Sequence, residues 1–268
     1  VAGETASYNV AEMTAENGKY TVSVDLAAAQ MTDEITISVV SGDLASSEMT
    51  YTIRQYAKQI LDGEYKETTK ALVKAMLNYG AKAQTYFGYN TGSLLNNQLT
   101  SAQKALVTAY SKSMMPDIAA PSAYKQGSFV ANGGFEDKYP SVTFGGAFAI
   151  NYYCVPSYMP ASSVTMYYWR EADYNAASVL TAENATGSME MTGSGTYRGS
   201  VTGISAKDLG DGVYVAFVYS DGTTTYSSGV LPYSIGMYCT TMAGYENSFT
   251  PFAQATAVYG YYAKQYFG

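Results

Sequence analysis

A ten-residue segment occurs twice in this chain at a fixed distance, and that repeat constrains the fold more than any single residue. Tyr79-Gly80-Ala81-Lys82-Ala83-Gln84-Thr85-Tyr86-Phe87-Gly88 returns as Tyr259-Gly260-Tyr261-Tyr262-Ala263-Lys264-Gln265-Tyr266-Phe267-Gly268. From 79 to 259 and from 88 to 268 the offset is a constant 180 residues. Upstream, Tyr51-Thr52-Ile53-Arg54-Gln55-Tyr56 answers Tyr233-Ser234-Ile235-Gly236-Met237-Tyr238, and Met31-Thr32-Asp33-Glu34-Ile35 answers Leu209-Gly210-Asp211-Gly212-Val213. Solenoid repeats have periods of about 20–50 residues, so a repeat this long implies duplicated modules instead. The expected architecture is α+β: two tandem lobes, each an antiparallel β-sheet or sandwich followed by a helical hairpin, with a groove between them.

The pattern along the chain fills in that frame. Lys19 to Asp25 and Glu34 to Val40 alternate with period two, as half-buried strands do. Ile53, Tyr56, Ala57, Ile60 and Leu61 recur at helical spacing until Asp62-Gly63 stops them. Leu72, Ala75, Met76, Tyr79, Ala83, Tyr86 and Phe87 make one apolar face of a second helix that Gly88 closes. Thr100 to Lys112 reads as a third helix. Residues 113–123, with Pro116 and Pro121 among small residues, read as a linker. The domains expected are therefore 1–112, whose β part is incomplete, and 124–268. In the second lobe Val142 to Phe144, Ala147 to Val155, Val164 to Trp169, Tyr197 to Val201 and Val213 to Tyr219 are strand candidates. Asp221-Gly222 marks a hairpin turn. Counterparts of 124–178 are missing ahead of the first copy, so the first sheet is either truncated or completed by strands the sequence does not mark.

Composition narrows the chemistry. The chain has 268 residues, a formal net charge of −7 and no histidine. No basic run offers a nucleic-acid face, and no stretch approaches the roughly 20 apolar residues of a membrane span. Without histidine, Ser-His-Asp and Cys-His catalysis and imidazole metal sites are excluded. Carboxylate-only chemistry survives, but Glu171 and Asp173 lie two residues apart on one element and point the same way, whereas a glycosidase needs carboxyls that face each other. Asp208, Asp211 and Asp221 sit in Gly-rich turns without calcium-loop spacing. The expectation is no catalytic residue, no metal and no cofactor. Cys154 falls in a strand candidate, and Cys239 stands where the first copy has Ala57, a small buried position that suits a packed free thiol. A single pair leaves a disulfide open without requiring one.

Tyrosine is the outlier: 28 residues, beside one Trp and 9 Phe. A tyrosine ring offers an apolar face and a hydroxyl at low entropy cost, which suits a ligand with an apolar C–H face and a hydroxyl rim. Most of the 28 are expected simply to line half-exposed strands, where tyrosine is favoured. The densest functional-looking stretch runs from Met166 to Asn175. There Trp169, Tyr168, Arg170 and Tyr174 combine aromatic surfaces with fixed polar groups, and Tyr152 and Tyr153 on a neighbouring strand candidate are similar in kind. Trp169 reads equally as the buried aromatic of a sandwich core, with Arg170–Glu171 a solvated pair at a strand end.

The hairpin residues Tyr51 to Ala57, Leu72 to Ala81 and Tyr86 to Asn90 resemble a module of large secreted proteins of gut Firmicutes. The doubled module is similar to the second domain of the starch adherence system proteins of ruminococcal amylosomes. That resemblance implies a non-catalytic, extracellular domain of a larger multidomain protein, with a groove gripping α-1,4-glucan (starch, maltooligosaccharides, cyclodextrin). The alternatives are a structural or adhesive cell-surface spacer and an α-glucan-active glycoside hydrolase. The chain starts at Val1 without a signal peptide, and the first copy runs on into Tyr89-Asn90 where the second stops at Gly268; both suit a piece of a longer protein.

Overall fold

The structure, a computed structural model, describes residues 5–145 and 147–268, with Val10 described by its backbone alone. It is α+β, and every paired strand is antiparallel. Two compact units divide between Thr108 and Ala109.

The first unit is mainly helical. Its strands are short: β1 (Ile35–Ile37), β2 (Val40–Ser41), β3 (Leu44–Ala45) and β4 (Met49–Tyr51). They form two two-stranded ribbons, β1 with β4 and β2 with β3. Helices α1 (Ile53–Asp62), α2 (Glu67–Phe87) and α3 (Ser101–Thr108) follow. A capping box starts α1: the Thr52 hydroxyl accepts from the Gln55 amide at 3.1 Å, and Gln55 Oε1 accepts from the Thr52 amide at 2.8 Å. Helix α2 ends on Gly88 at φ 67°, the left-handed position glycine tolerates best. Its middle is covered nearly all round, with Val73, Ala75, Leu77, Tyr79, Ala81 and Ala83 buried. Gln84, fully buried, ties the following loop down: its Oε1 accepts from the Leu95 amide at 2.7 Å and its Nε2 donates to the carbonyls of Asn90 and Ser93. The strand expected over Lys19 to Asp25 is not formed. Only an isolated bridge joins Glu16 to Lys19, and Tyr20, Val22 and Val24 are exposed, because alternation makes a strand only where a partner strand offers its backbone.

The second unit holds a β-sandwich. Its elements are α4 (Ala123–Gln126), β5 (Phe135–Phe144), β6 (Phe148–Pro156), β7 (Thr165–Arg170), α5 (Glu171–Ala176), β8 (Gly187–Glu190), β9 (Thr192–Ser194), β10 (Thr196–Ile204), β11 (Val213–Ser220), β12 (Thr225–Ser227), β13 (Leu231–Tyr233), α6 (Ile235–Ala243) and α7 (Thr250–Phe267). One sheet runs β5-β6-β10-β9; the other runs β12-β11-β7-β8, with β13 also on β11. Their facing sides interlock: Phe135 and Tyr152 meet Phe217, Gly199 lies against Met166, and Cys154 lies 3.8 Å from the Met191 sulfur. The five-stranded sheet is also covered on its far side, where Trp169, Tyr214, Ala216, Phe129, Leu180 and Val230 form a second core. Burial on both faces explains why β11 is apolar from Val213 to Tyr219 without alternation. The four-stranded sheet keeps its outer face open.

The matching stretches fold alike within their own units. In the first, Ile35 pairs with Tyr51 and Ile37 with Met49; in the second, Val213 pairs with Tyr233 and Val215 with Leu231. Each strand pair leads through a hydroxyl cap, Thr52 or Ser234, into two helices. Each second helix presses a glycine onto the turn before its strand: a Cβ on Gly80 would stand 3.2 Å from the Ala28 carbonyl oxygen, and one on Gly260 would stand 3.1 Å from Leu209 Cβ. The matching ends at the strands: β11 carries β7 on its other edge, whereas among the described residues β1 pairs with β4 alone. Met115, inside the expected linker, is buried against Gly236 and Gly260 of the second unit.

Candidate functional site

The six residues singled out in the sequence do not converge. Trp169 is fully buried, edge-on to Phe129 at 5.1 Å, with its Nε1 donating to Asn184 Oδ1 at 2.9 Å. Tyr152 lies between the sheets, its hydroxyl donating to the Val213 carbonyl at 3.3 Å, and burial holds its phenol well above the usual value. Neither ring is open to a ligand: Trp169 takes the core alternative that its sequence context left equally open, and the nomination of Tyr152 is corrected. The alternation of β7 allowed either face for Trp169, and the loop carrying Leu180 covers the face it took. Tyr174 has both ring faces occupied. Tyr214 stacks on one at 3.5 Å and 7°, and the Lys125 ammonium, 3.9 Å from the centroid, takes the other. Arg170 bridges the sheets, donating from its guanidinium to the Thr202 carbonyl at 2.7 Å. Tyr168 lies across Gly187, where an added Cβ would come within 2.7 Å of its hydroxyl.

The residues after Arg170 also differ from expectation. They turn at once into α5, whose first turn carries Glu171 and Asp173, the sign a helix N-terminus favours. Glu171 accepts from the Gly212 amide at 2.6 Å, and Asp173 accepts from the Thr186 hydroxyl. This acidic pair therefore serves the fold.

Tyr153 is different. It points out of the open face of the four-stranded sheet, where antiparallel register aligns three residues across three strands: Tyr139 of β5, Tyr153 of β6 and Arg198 of β10. The two rings stack at 5.0 Å with 13° between planes, and the Arg198 guanidinium carbon is 6.0 Å from the Tyr153 ring centre. Tyr139 stands on the edge strand and is 44% exposed. The next row is Ser141, Asn151 and Ser200. Asn151, only 5% exposed, is its hub. Its Oδ1 accepts from Arg198 at 2.8 Å and Ser200 at 2.7 Å, while its Nδ2 donates to Thr143 at 2.8 Å and Ser141 at 3.5 Å. All four hydrogen-bonding positions of the amide are thereby filled, one of them by the exposed Arg198 guanidinium.

The arrangement has a clear capacity. A rigid aromatic surface beside preset donors and hydroxyls accommodates a ligand with a flat apolar face and a hydroxyl rim. Sequence reasoning singled out Tyr153 and missed Tyr139 and Arg198; Asn151 lay within the stretch it marked, without a role of its own. The available signal was a polar amide inside the apolar run Ile150-Asn151-Tyr152, at an outward-facing position that strand register alone connects to the others. Among the described residues, no group of three or more acidic, Cys or His side chains is placed to hold a metal ion. No described helix is long and apolar enough to cross a membrane.

Known proteins add little. No protein-family model matches the chain, and no curated protein matches it. Among solved structures, the chain is similar to the Br derivative of BhCBM56 at 18% identity and a TM-score of 0.26, over 38% of this chain and 99% of that one, a likeness too low to carry an argument.

Proposed function

We propose that this protein is a non-catalytic carbohydrate-binding domain whose sugar-contacting face is the Tyr139–Tyr153–Arg198 row and the Asn151 network beside it. One observation carries the reading: an open sheet face holds a stacked tyrosine pair next to a guanidinium hydrogen-bonded to a nearly buried asparagine. A solvated surface would not need so ordered a polar network. A binding face needs one, because groups already fixed lose little entropy when a sugar arrives. The ligand proposed is α-1,4-glucan, supported by the resemblance of the hairpin segments to starch adherence proteins. With it goes an extracellular setting within a larger secreted protein. Of the six residues nominated from sequence, Tyr153 stays in the proposed site.

The test is retention on granular starch together with calorimetry using maltoheptaose and β-cyclodextrin. The parent is expected to be retained and to release heat, and the Tyr139→Ala and Arg198→Ala variants to bind about tenfold or more weakly at this face. No retention and no heat from the parent would leave a cell-surface spacer as the better reading. Release of reducing sugar would instead mark a hydrolase, and none is expected.

A further inference from the structure

The hairpin of β11 and β12 carries a second aromatic assembly. Tyr219, Tyr226 and Tyr158 stack in sequence, with ring centres 5.1 Å and 5.0 Å apart and planes within 27°. The base is locked. Tyr219 is 2% exposed, donates its hydroxyl proton to the Gly134 carbonyl at 2.8 Å and accepts from the Tyr158 amide at 3.2 Å. The middle ring lies directly on Gly134, where any Cβ would come within 2.2 Å of Tyr226. Only the last ring opens outward: Tyr158 is 53% exposed, with Met159 beside it in sequence and almost wholly solvated.

Polar groups flank the stack. Tyr226 donates to Asp221 Oδ2 at 3.0 Å. The other carboxylate oxygen accepts from the amides of Thr223 and Thr224 and from the Thr223 hydroxyl, each at 2.8 Å. These bonds hold Asp221 well below the usual carboxylate range, the Thr224 amide contributing most. The carboxylate is therefore a fixed anion, and Oδ2, with a single protein donor, has capacity for a further one.

We infer that the Tyr158–Tyr226–Asp221 assembly is a second sugar-binding platform, separate from the Tyr139–Tyr153 face, and that it takes a neutral pyranose unit of the same glycan. The inference rests on the carbohydrate-binding reading. A terminal ring held at a set angle by two rings beneath it has little freedom to lose when a sugar stacks on it. The neighbouring carboxylate accepts from sugar hydroxyls and repels a uronate, which restricts the ligand to neutral sugars. Two platforms on one unit engage a polymer together, so retention on granules exceeds what either gives alone.

Calorimetry with maltoheptaose on the parent, Tyr139→Ala, Tyr158→Ala, Tyr158→Phe and the Tyr139→Ala/Tyr158→Ala double variant tests this. Folding is checked by circular dichroism; the Tyr158→Ala change leaves the backbone donor to Tyr219 in place. Expected are binding at two sites by the parent, one site weakened in each single alanine variant, both weakened in the double, and parental binding by Tyr158→Phe. Loss of Tyr158 should weaken its own site about thirtyfold. Polygalacturonate should give no heat with Tyr139→Ala. If Tyr139→Ala alone abolishes all binding, or Tyr158→Ala binds as the parent does, the second platform is overturned while the first reading stands. If the parent gives no heat, both fall.

Discussion

Replacing Trp169 by alanine should cripple the second unit without touching its ligand chemistry. The indole is fully enclosed by Phe129, Leu180, Tyr214, Ala216 and Val230. Removing an enclosed aromatic of this size costs about 3–5 kcal/mol, because the cavity left behind collapses only in part. The lost hydrogen bond adds little: Asn184 Oδ1 keeps a second donor, the Thr181 amide at 2.9 Å, so no acceptor is orphaned. For a unit of this size each kcal/mol moves the melting point by roughly 2–4 °C, giving a fall of about 6–20 °C. Thermal melting followed by near-ultraviolet circular dichroism measures it, with Tyr139→Ala as the control. That control loses a half-exposed ring and its stack on Tyr153, worth about 0.5–1.5 kcal/mol, and should fall well short of the core change. Equal melting points for Trp169→Ala and the parent would refute the enclosed core, and with it the removal of Trp169 from the ligand face.

The same geometry sets further expectations. Maltoheptaose at saturation should leave the emission of Trp169 unshifted, since both proposed platforms lie away from the indole; a shift would place it in contact with sugar. Cys154 and Cys239 are free and buried, and burial pushes the first thiol up to about 12 and the second higher still. Neither should react with a thiol reagent in the native protein, and both should react after denaturation. Gly80→Ala puts a methyl 2.5 Å from Leu95 Cδ2. Overpacking of about 1–3 kcal/mol outweighs a helix gain of about 1 kcal/mol, so the variant should melt lower. Asp221 has a folded value below its unfolded one, so its contribution is complete above the ordinary carboxylate value and fades only as pH falls through the lowered one. Binding by Tyr139→Ala should therefore be flat between pH 7 and pH 5; a loss already at pH 5 would contradict the fixed anion.

The sequence disclosed the parts of this fold that depend on local chemistry. Helical periodicity and the Asp62-Gly63 and Gly88 stops located the hairpins, because each acts within a turn or two of chain. Strands β6, β7 and β11 were legible from runs of branched and aromatic residues. What was not legible depends on pairing. Lys19 to Asp25 alternates as well as any strand yet finds no partner strand among the described residues. The site was hidden for the same reason. Tyr139, Asn151 and Arg198 are far apart in sequence, and only the register of three strands sets them side by side. Trp169 stayed open between core and ligand face because β7 has a covered face on each side, and alternation cannot say that both are covered.

The most direct test of the account is amide and side-chain chemical-shift mapping by NMR on the labelled chain as maltoheptaose is added. Shifts confined to Tyr139, Ser141, Asn151, Tyr153, Arg198 and Ser200, with a second group at Tyr158, Asp221 and Tyr226 and none at the Trp169 indole, are the predicted result. Saturable binding whose shifts leave Tyr139, Asn151, Tyr153 and Arg198 unmoved would contradict it.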